Sequence, residues 1–232
     1  MNGLKEGNMF KDPRIGENID RIRGYEKCLL DVGLRMLSAY GGKLYPLDLL
    51  AMGVLKRSLS LCHGFVRLIE DVNFTCAGPL VRLQLDNALR YFAAFLVSDP
   101  HDFASHIISG KSVRQYKDRS GAKLTDKHLV EELSKEYPWV NKVYGETSKL
   151  IHLTDEHIFS VLKLDEESDR SAKLEFGALD DDIPEAAYLE ATEAFIAATE
   201  VSIVYLEGWI FTKNNPQLVA DLKRQLFTKK DE

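Results

Sequence analysis

Cysteine is scarce in this 232-residue chain, and the three residues present, Cys28, Cys62 and Cys76, form no CxxC pair. Their spacing excludes a zinc ribbon and a disulfide framework, and it leaves them as small core residues. Long apolar runs are missing as well: no uninterrupted stretch approaches the roughly 18 residues of a spanning helix. The segment from Met1 to Arg14 is polar and lacks the apolar centre of a signal peptide. The expectation is a cytoplasmic protein that does not associate with membranes. The chain also lacks a P-loop, a dinucleotide-binding glycine fingerprint, an HExxH zinc motif and a G-x-S-x-G elbow, so those routes to nucleotide, metal or acyl chemistry have no support.

Positive charge is not in excess either. The net charge is -6 and the pI about 5.6, which supplies no overall attraction for a phosphate backbone and makes nucleic acid an unlikely partner. One basic stretch, Lys111, Arg114, Lys117, Arg119 and Lys123, is interrupted by Asp118 and reads first as a solvated loop.

What is abundant is ordinary globular material, 45% hydrophobic and 28% charged, in a length that can bury a substantial core. Apolar residues recur at helical spacing from Glu17 to Tyr40 and stop at Gly41-Gly42. Pro46 suits the first turn of a long apolar helix over 47–72. Asn73 to Gly78 reads as a break, Pro79 as the start of a third helix to Ser98, and Asp99-Pro100 as its end. A short helix over 101–109, a polar loop over 110–124, a helix capped by Asp126, and another opened by Pro138 are expected next.

Alternating apolar residues around Asp165 to Arg170 predict a hairpin. Asp180-Asp181-Asp182 precedes Pro184 as an acidic helix start, and Pro216 opens an amphipathic terminal helix. The fold class is mainly α: a multi-helix bundle of about six to eight helices with one small β-hairpin. Residues 1–16 are expected as a flexible leader and 17–232 as a single helical domain, with the hairpin at about 158–178.

Two polar stripes stand out on apolar helices. Arg82, Asp86 and Arg90 follow at i, i+4 and i+8, sharing one face over about 12 Å. Tyr144, Ser148 and His152 repeat that spacing on the Pro138 helix, with Asp155 and His157 just beyond. If the stripes face each other, the arginines can hold an anion and His152 can exchange protons near neutral pH. The structural alternative is a hydrogen-bonded polar core that fixes helix register. A third candidate pairs Arg57 with His63 in the R-x(4–6)-H spacing of HEPN-type ribonucleases, a match expected roughly once by chance in a chain of this composition. His152, Asp155, Glu156 and His157 lack the paired Glu-x-x-His pattern of di-iron bundles, so no metal and no cofactor is expected.

The stretch Arg57 to Phe95, centred on 79–86, together with Gly110-Lys111, Lys117-Asp118, Pro138-Trp139-Val140, Tyr144, Ser148 and His152, resembles an uncharacterised bacterial all-helical family, a domain of unknown function that is remotely HEPN-like. The resemblance covers about residues 45 to 160 and implies an all-α core in which an Arg-rich helix meets a Tyr/Ser/His helix. It implies no established activity. The function expected from the sequence is binding of a small anionic or nucleotide-like ligand at a buried Arg/Asp/Tyr/Ser/His site: Arg82, Asp86, Arg90, Tyr144, Ser148, His152 and His157. The alternatives are a metal-independent HEPN-like ribonuclease using Arg57, His63 and His152, and a partner-binding regulatory module. A homo-oligomer is the expected assembly.

Overall fold

The computed structural model describes residues 10–151, 162–164, 172–174, 177, 180 and 183–221. Within them the chain is a helical bundle: α1 (Pro13–Ser38), α2 (Pro46–Glu70), α3 (Phe74–Leu96), α4 (Pro100–Ile108), α5 (Asp126–Ser134), α6 (Trp139–Lys149) and α7 (Glu185–Asn214). Residues 216–221 begin a further helical stretch. Short segments β1 (Leu162–Leu164) and β2 (Ala172–Leu174) pair antiparallel, with Leu162 opposite Leu174 and Leu164 opposite Ala172. The rest of the segment expected as a hairpin, within 158–178, lies almost wholly outside the described residues.

Four of these helices start where a side chain accepts a free N–H group of the first turn. Asp12, Asn73, Asp99 and Thr125 do this for α1, α3, α4 and α5, and proline stands in the first turn of α1, α2 and α4. At α2 the third helical residue, Asp48, reaches back to the Tyr45 N–H at 2.7 Å. The leader expected over residues 1–16 is corrected from its tenth residue onward: Phe10 and Ile15 are buried, and helix α1 begins at Pro13. Apolar side chains at both positions gain more from the core than a loose segment would.

The break expected over 73–78 is shorter than the sequence suggests. Helix α3 begins at Phe74 and carries Pro79 inside it, where the missing N–H leaves the Thr75 carbonyl without its helical donor. A distant residue supports that first turn. Asp180 accepts the Thr75 N–H at 2.7 Å and its hydroxyl at 3.1 Å, while the Asp180 N–H donates to the Val72 carbonyl at 2.9 Å. Asp180 belongs to the acidic run read from the sequence; Asp181 and Asp182 lie outside the described residues.

Helix α7 packs against α3 and α1, and α2 packs against α1, α3 and α4. Phe65 of α2 and Phe195 of α7 stack at the centre, their rings 4.2 Å apart and nearly parallel. By length and composition α2 and α7 are apolar enough to cross a membrane, and about half of each apolar window is buried inside the bundle. Buried core helices pass the same test.

At one end of the bundle three helix termini meet around a buried ion pair. Lys213 Nζ of α7 lies 3.0 Å from Asp48 Oδ2 and donates to the Met36 carbonyl at 2.9 Å, with both charged side chains fully enclosed. Trp209 Nε1 donates to the other carboxylate oxygen at 2.7 Å.

Candidate functional site

The arginine stripe of α3 lies at the junction of α2, α3, α5 and α6. Asp86 is its hub: Oδ2 accepts from Arg57 Nη1 of α2 at 3.0 Å, and Oδ1 from Arg90 Nε at 3.0 Å. Arg90 also reaches Asp126 Oδ1 at 2.5 Å, and the second oxygen of Asp126 accepts from Arg114 Nη2 at 2.6 Å. Arginine and carboxylate thus alternate from α2 to the loop before α5. Arg90 Nη1 is buried and has no hydrogen-bond partner among the described residues.

Arg82, one turn before Asp86, is buried, and its guanidinium stacks on the Tyr144 ring at 4.0 Å from the centroid. It has no carboxylate partner among the described residues. A delocalised, weakly hydrated guanidinium tolerates that environment far better than an ammonium would. Arg114 is raised above the ordinary arginine value chiefly by its hydrogen bond to Asp126, with smaller contributions from Tyr144 and Asp86. Burial pushes the Asp126 carboxyl up, but the Arg114 hydrogen bond and the charge of Arg90 outweigh it and hold the group below the ordinary carboxylate value.

Local chain chemistry explains why Asp126 is available. The sequence suggests that it caps α5, but Thr125 takes that position and accepts the His128 N–H. Asp126 becomes the first helical residue, and its carboxylate turns toward the arginines. The basic stretch divides in a similar way. Arg114 joins the cluster, whereas Arg119 donates from its backbone N–H to the Leu96 carbonyl at 3.1 Å and from Nε to the Val97 carbonyl at 2.9 Å, closing the end of α3. Asp118 anchors the intervening loop, accepting from the N–H groups of Ser120 and Ala122 and lying 2.8 Å from His128 Nε2.

Behind the site a buried polar ladder runs into the core. Asn87 accepts from Arg57 at 2.8 Å and donates to Ser58 and to Gln84, each at 3.1 Å; Gln84 then donates to Thr199 of α7 at 3.0 Å. Every link is paired, which is the condition for such groups to be tolerated inside. The ladder fixes the register of α2, α3 and α7 and sets the position of Arg57.

The residues expected from the sequence are distributed unevenly. Arg82, Asp86, Arg90 and Tyr144 come together. Ser148 does not join them, because its hydroxyl donates to the Tyr144 carbonyl at 2.6 Å on its own helix. His152 and His157 lie outside the described residues. Arg57 and His63 diverge: six residues on a helix amount to about 240° of rotation, so Arg57 faces α3 while exposed His63 lines a groove between α1 and α2. One ligand cannot meet both from these positions. Sequence reasoning missed Asn87, and it placed Arg57, Arg114 and Asp126 in other roles. The available signals were the i, i+1 pair Asp86-Asn87 on a helix otherwise apolar and the Thr-Asp order at 125–126. No family model, curated protein or solved structure matches the chain.

Proposed function

We propose that the chain binds a small anionic ligand carrying a phosphoryl group at the face formed by Arg57, Arg82, Arg90 and Arg114. One observation carries this reading: three guanidiniums, Arg57, Arg90 and Arg114, share two carboxylates, Asp86 and Asp126, a fourth, Arg82, stacks on Tyr144 with no carboxylate partner, and one buried Arg90 nitrogen has no acceptor among the described residues. An excess of positive charge in a partly enclosed site attracts an anion, and the planar fork of arginine matches phosphate oxygens two at a time. Arg114 is largely exposed and stands at the rim, where it can exchange Asp126 for an incoming oxygen. Arg57 and Arg90 are held from behind by Asp86 and Asn87, so they present their remaining N–H groups without reorganising.

The test is thermal unfolding with pyrophosphate, nucleoside mono- and diphosphates and sugar phosphates, with chloride as control. A ligand at 100 times its Kd adds about 2.7 kcal/mol, which for a chain of this size is a rise of roughly 5–10 °C. Arg114→Ala, at an exposed position, should leave the unliganded melting temperature nearly unchanged and abolish most of the rise. No rise with any phosphoryl compound, or an equal rise in Arg114→Ala and Arg90→Ala, would remove the reading and leave the cluster as a structural tie between helices.

A further inference from the structure

We propose that the outer side of α1 and α2 is a homodimer interface, on which a second copy of this chain docks. The observation is a concentration of large apolar side chains in water. Leu30, Leu34 and Leu37 recur at i, i+4 and i+7 along α1, and the first two are 52% and 66% exposed. Leu44, Leu49 and Ile108 continue the set at 60%, 55% and 53%. The last three frame a groove of about 480 Å³ between the start of α2 and the end of α4. Leu30 lines another, of about 660 Å³, between α1 and α2, together with Lys56, Leu59 and Ser60.

Leu49, Gly53, Lys56 and Ser60 succeed one another in steps of three or four residues, so both grooves open on the same side of α2. Midway along it, exposed Gly53 has nothing within 4 Å of the place where a Cβ would stand, and a partner helix can come close to the backbone there.

The size of the patch and the charges around it identify the occupant. The six side chains leave on the order of 600 Å² of apolar surface in water, the upper end of what monomers expose and close to the ~800 Å² per partner of a standard interface. Around the groove between α1 and α2 both signs of charge are interspersed: Arg23, Lys56 and Arg67 against Glu26 and Glu70. Arg23 is already paired with Asp20 and Glu70, and further along α1 Arg35 is paired with Asp31 and Glu207.

An anionic lipid surface selects a single-sign basic rim, and a strongly charged peptide selects a field of the opposite sign. An apolar centre with a rim of mixed charge fits a copy of itself, related by a two-fold axis that brings the same patch to both sides. The Arg57 side of α2 faces α3, so the inference stands apart from the anion site.

Sedimentation velocity on the full chain tests it, at about 100 µM, well above the micromolar Kd at the weak end for interfaces of this size. The expected species has twice the chain mass of 26.3 kDa, and the Leu34→Glu/Leu49→Lys double variant should sediment as a monomer. Both sites are exposed, and an unchanged circular dichroism spectrum would confirm that the variant keeps its fold. Should the variant unfold, hydrogen exchange on the wild-type chain serves instead, with protection of residues 30–49 expected to rise with protein concentration. A wild-type monomer at this concentration overturns the proposal. So does a dimer that persists in the folded double variant, and so does a monomer that co-sediments with phosphatidylglycerol vesicles, since that result makes lipid the occupant.

Discussion

Breaking the Asp48–Lys213 pair should be the costliest single change in the bundle outside its apolar core, and the two halves should not cost the same. Both side chains are fully enclosed and 3.0 Å apart. Removing one partner of a buried pair typically costs about 3–5 kcal/mol, because the other charge is left without compensation. Lys213→Met strands Asp48, but that carboxylate keeps the Trp209 indole N–H and the Tyr45 backbone N–H, both at 2.7 Å. Its loss should therefore sit near 3 kcal/mol, at the lower end. Asp48→Leu leaves the ammonium with the Met36 carbonyl as its one hydrogen-bond acceptor among the described residues, and it also orphans the Trp209 and Tyr45 donors, each worth about 1–3 kcal/mol when buried unpaired.

That loss should reach 5 kcal/mol or more, a large share of the 5–15 kcal/mol typical of a folded domain. In Asp48→Leu/Lys213→Met no charge remains, so the double variant should be more stable than Asp48→Leu alone, with a coupling of ~2 kcal/mol or more between the sites. Urea unfolding followed by fluorescence, in which Trp209 reports directly on the site, supplies the three differences. A Lys213→Met loss below about 1 kcal/mol, or losses that simply add in the double variant, would refute the reasoning.

Asp118 should make stability acid-sensitive. Burial pushes its carboxyl up, but hydrogen bonds from Ser120, His128 and the backbone N–H groups of Ala122 and Ser120 outweigh it and bring it down to about 2. A depressed folded value means that the contribution, ~2 kcal/mol, is complete above about pH 4 and is lost as pH falls toward 2. Asp118→Asn should flatten the urea midpoint over that interval relative to wild type, and parallel curves for the two proteins would contradict this. Cys76, expected in the core from its apolar neighbours, is exposed instead, so the thiols should divide by burial: Cys76 should react with a disulfide reagent at once, while Cys62, buried and with its thiol pushed up to about 12, should react only on unfolding. Fast labelling of Cys62 in the native protein would show that the α2 core is open.

Much of the helical layout was readable in the residues themselves. Proline in the first turn and apolar residues at three- and four-residue steps are local signals, and they located α1, α2, α4, α6 and α7 to within a few residues. Pro79 misled for an equally local reason. A proline normally opens a helix, yet α3 starts five residues earlier because Asn73 caps it and Asp180, 105 positions away from Thr75 in the chain, accepts two hydrogen bonds from its first turn. Phe10 and Ile15 look like part of a loose leader until the core that receives them is present.

The candidate site divides along the same line. Helical spacing by itself determined that Arg82, Asp86 and Arg90 share a face, and apolar surroundings required them to find partners. The tertiary structure alone decided who those partners are: Tyr144 for Arg82, Arg57 and Arg90 for Asp86, and Asp126 for Arg90 and Arg114. The physical reason is range. Backbone geometry propagates periodicity over a few turns of one helix, whereas the pairing of charges depends on which helices the core brings side by side, and on Thr125 taking the cap that leaves Asp126 free.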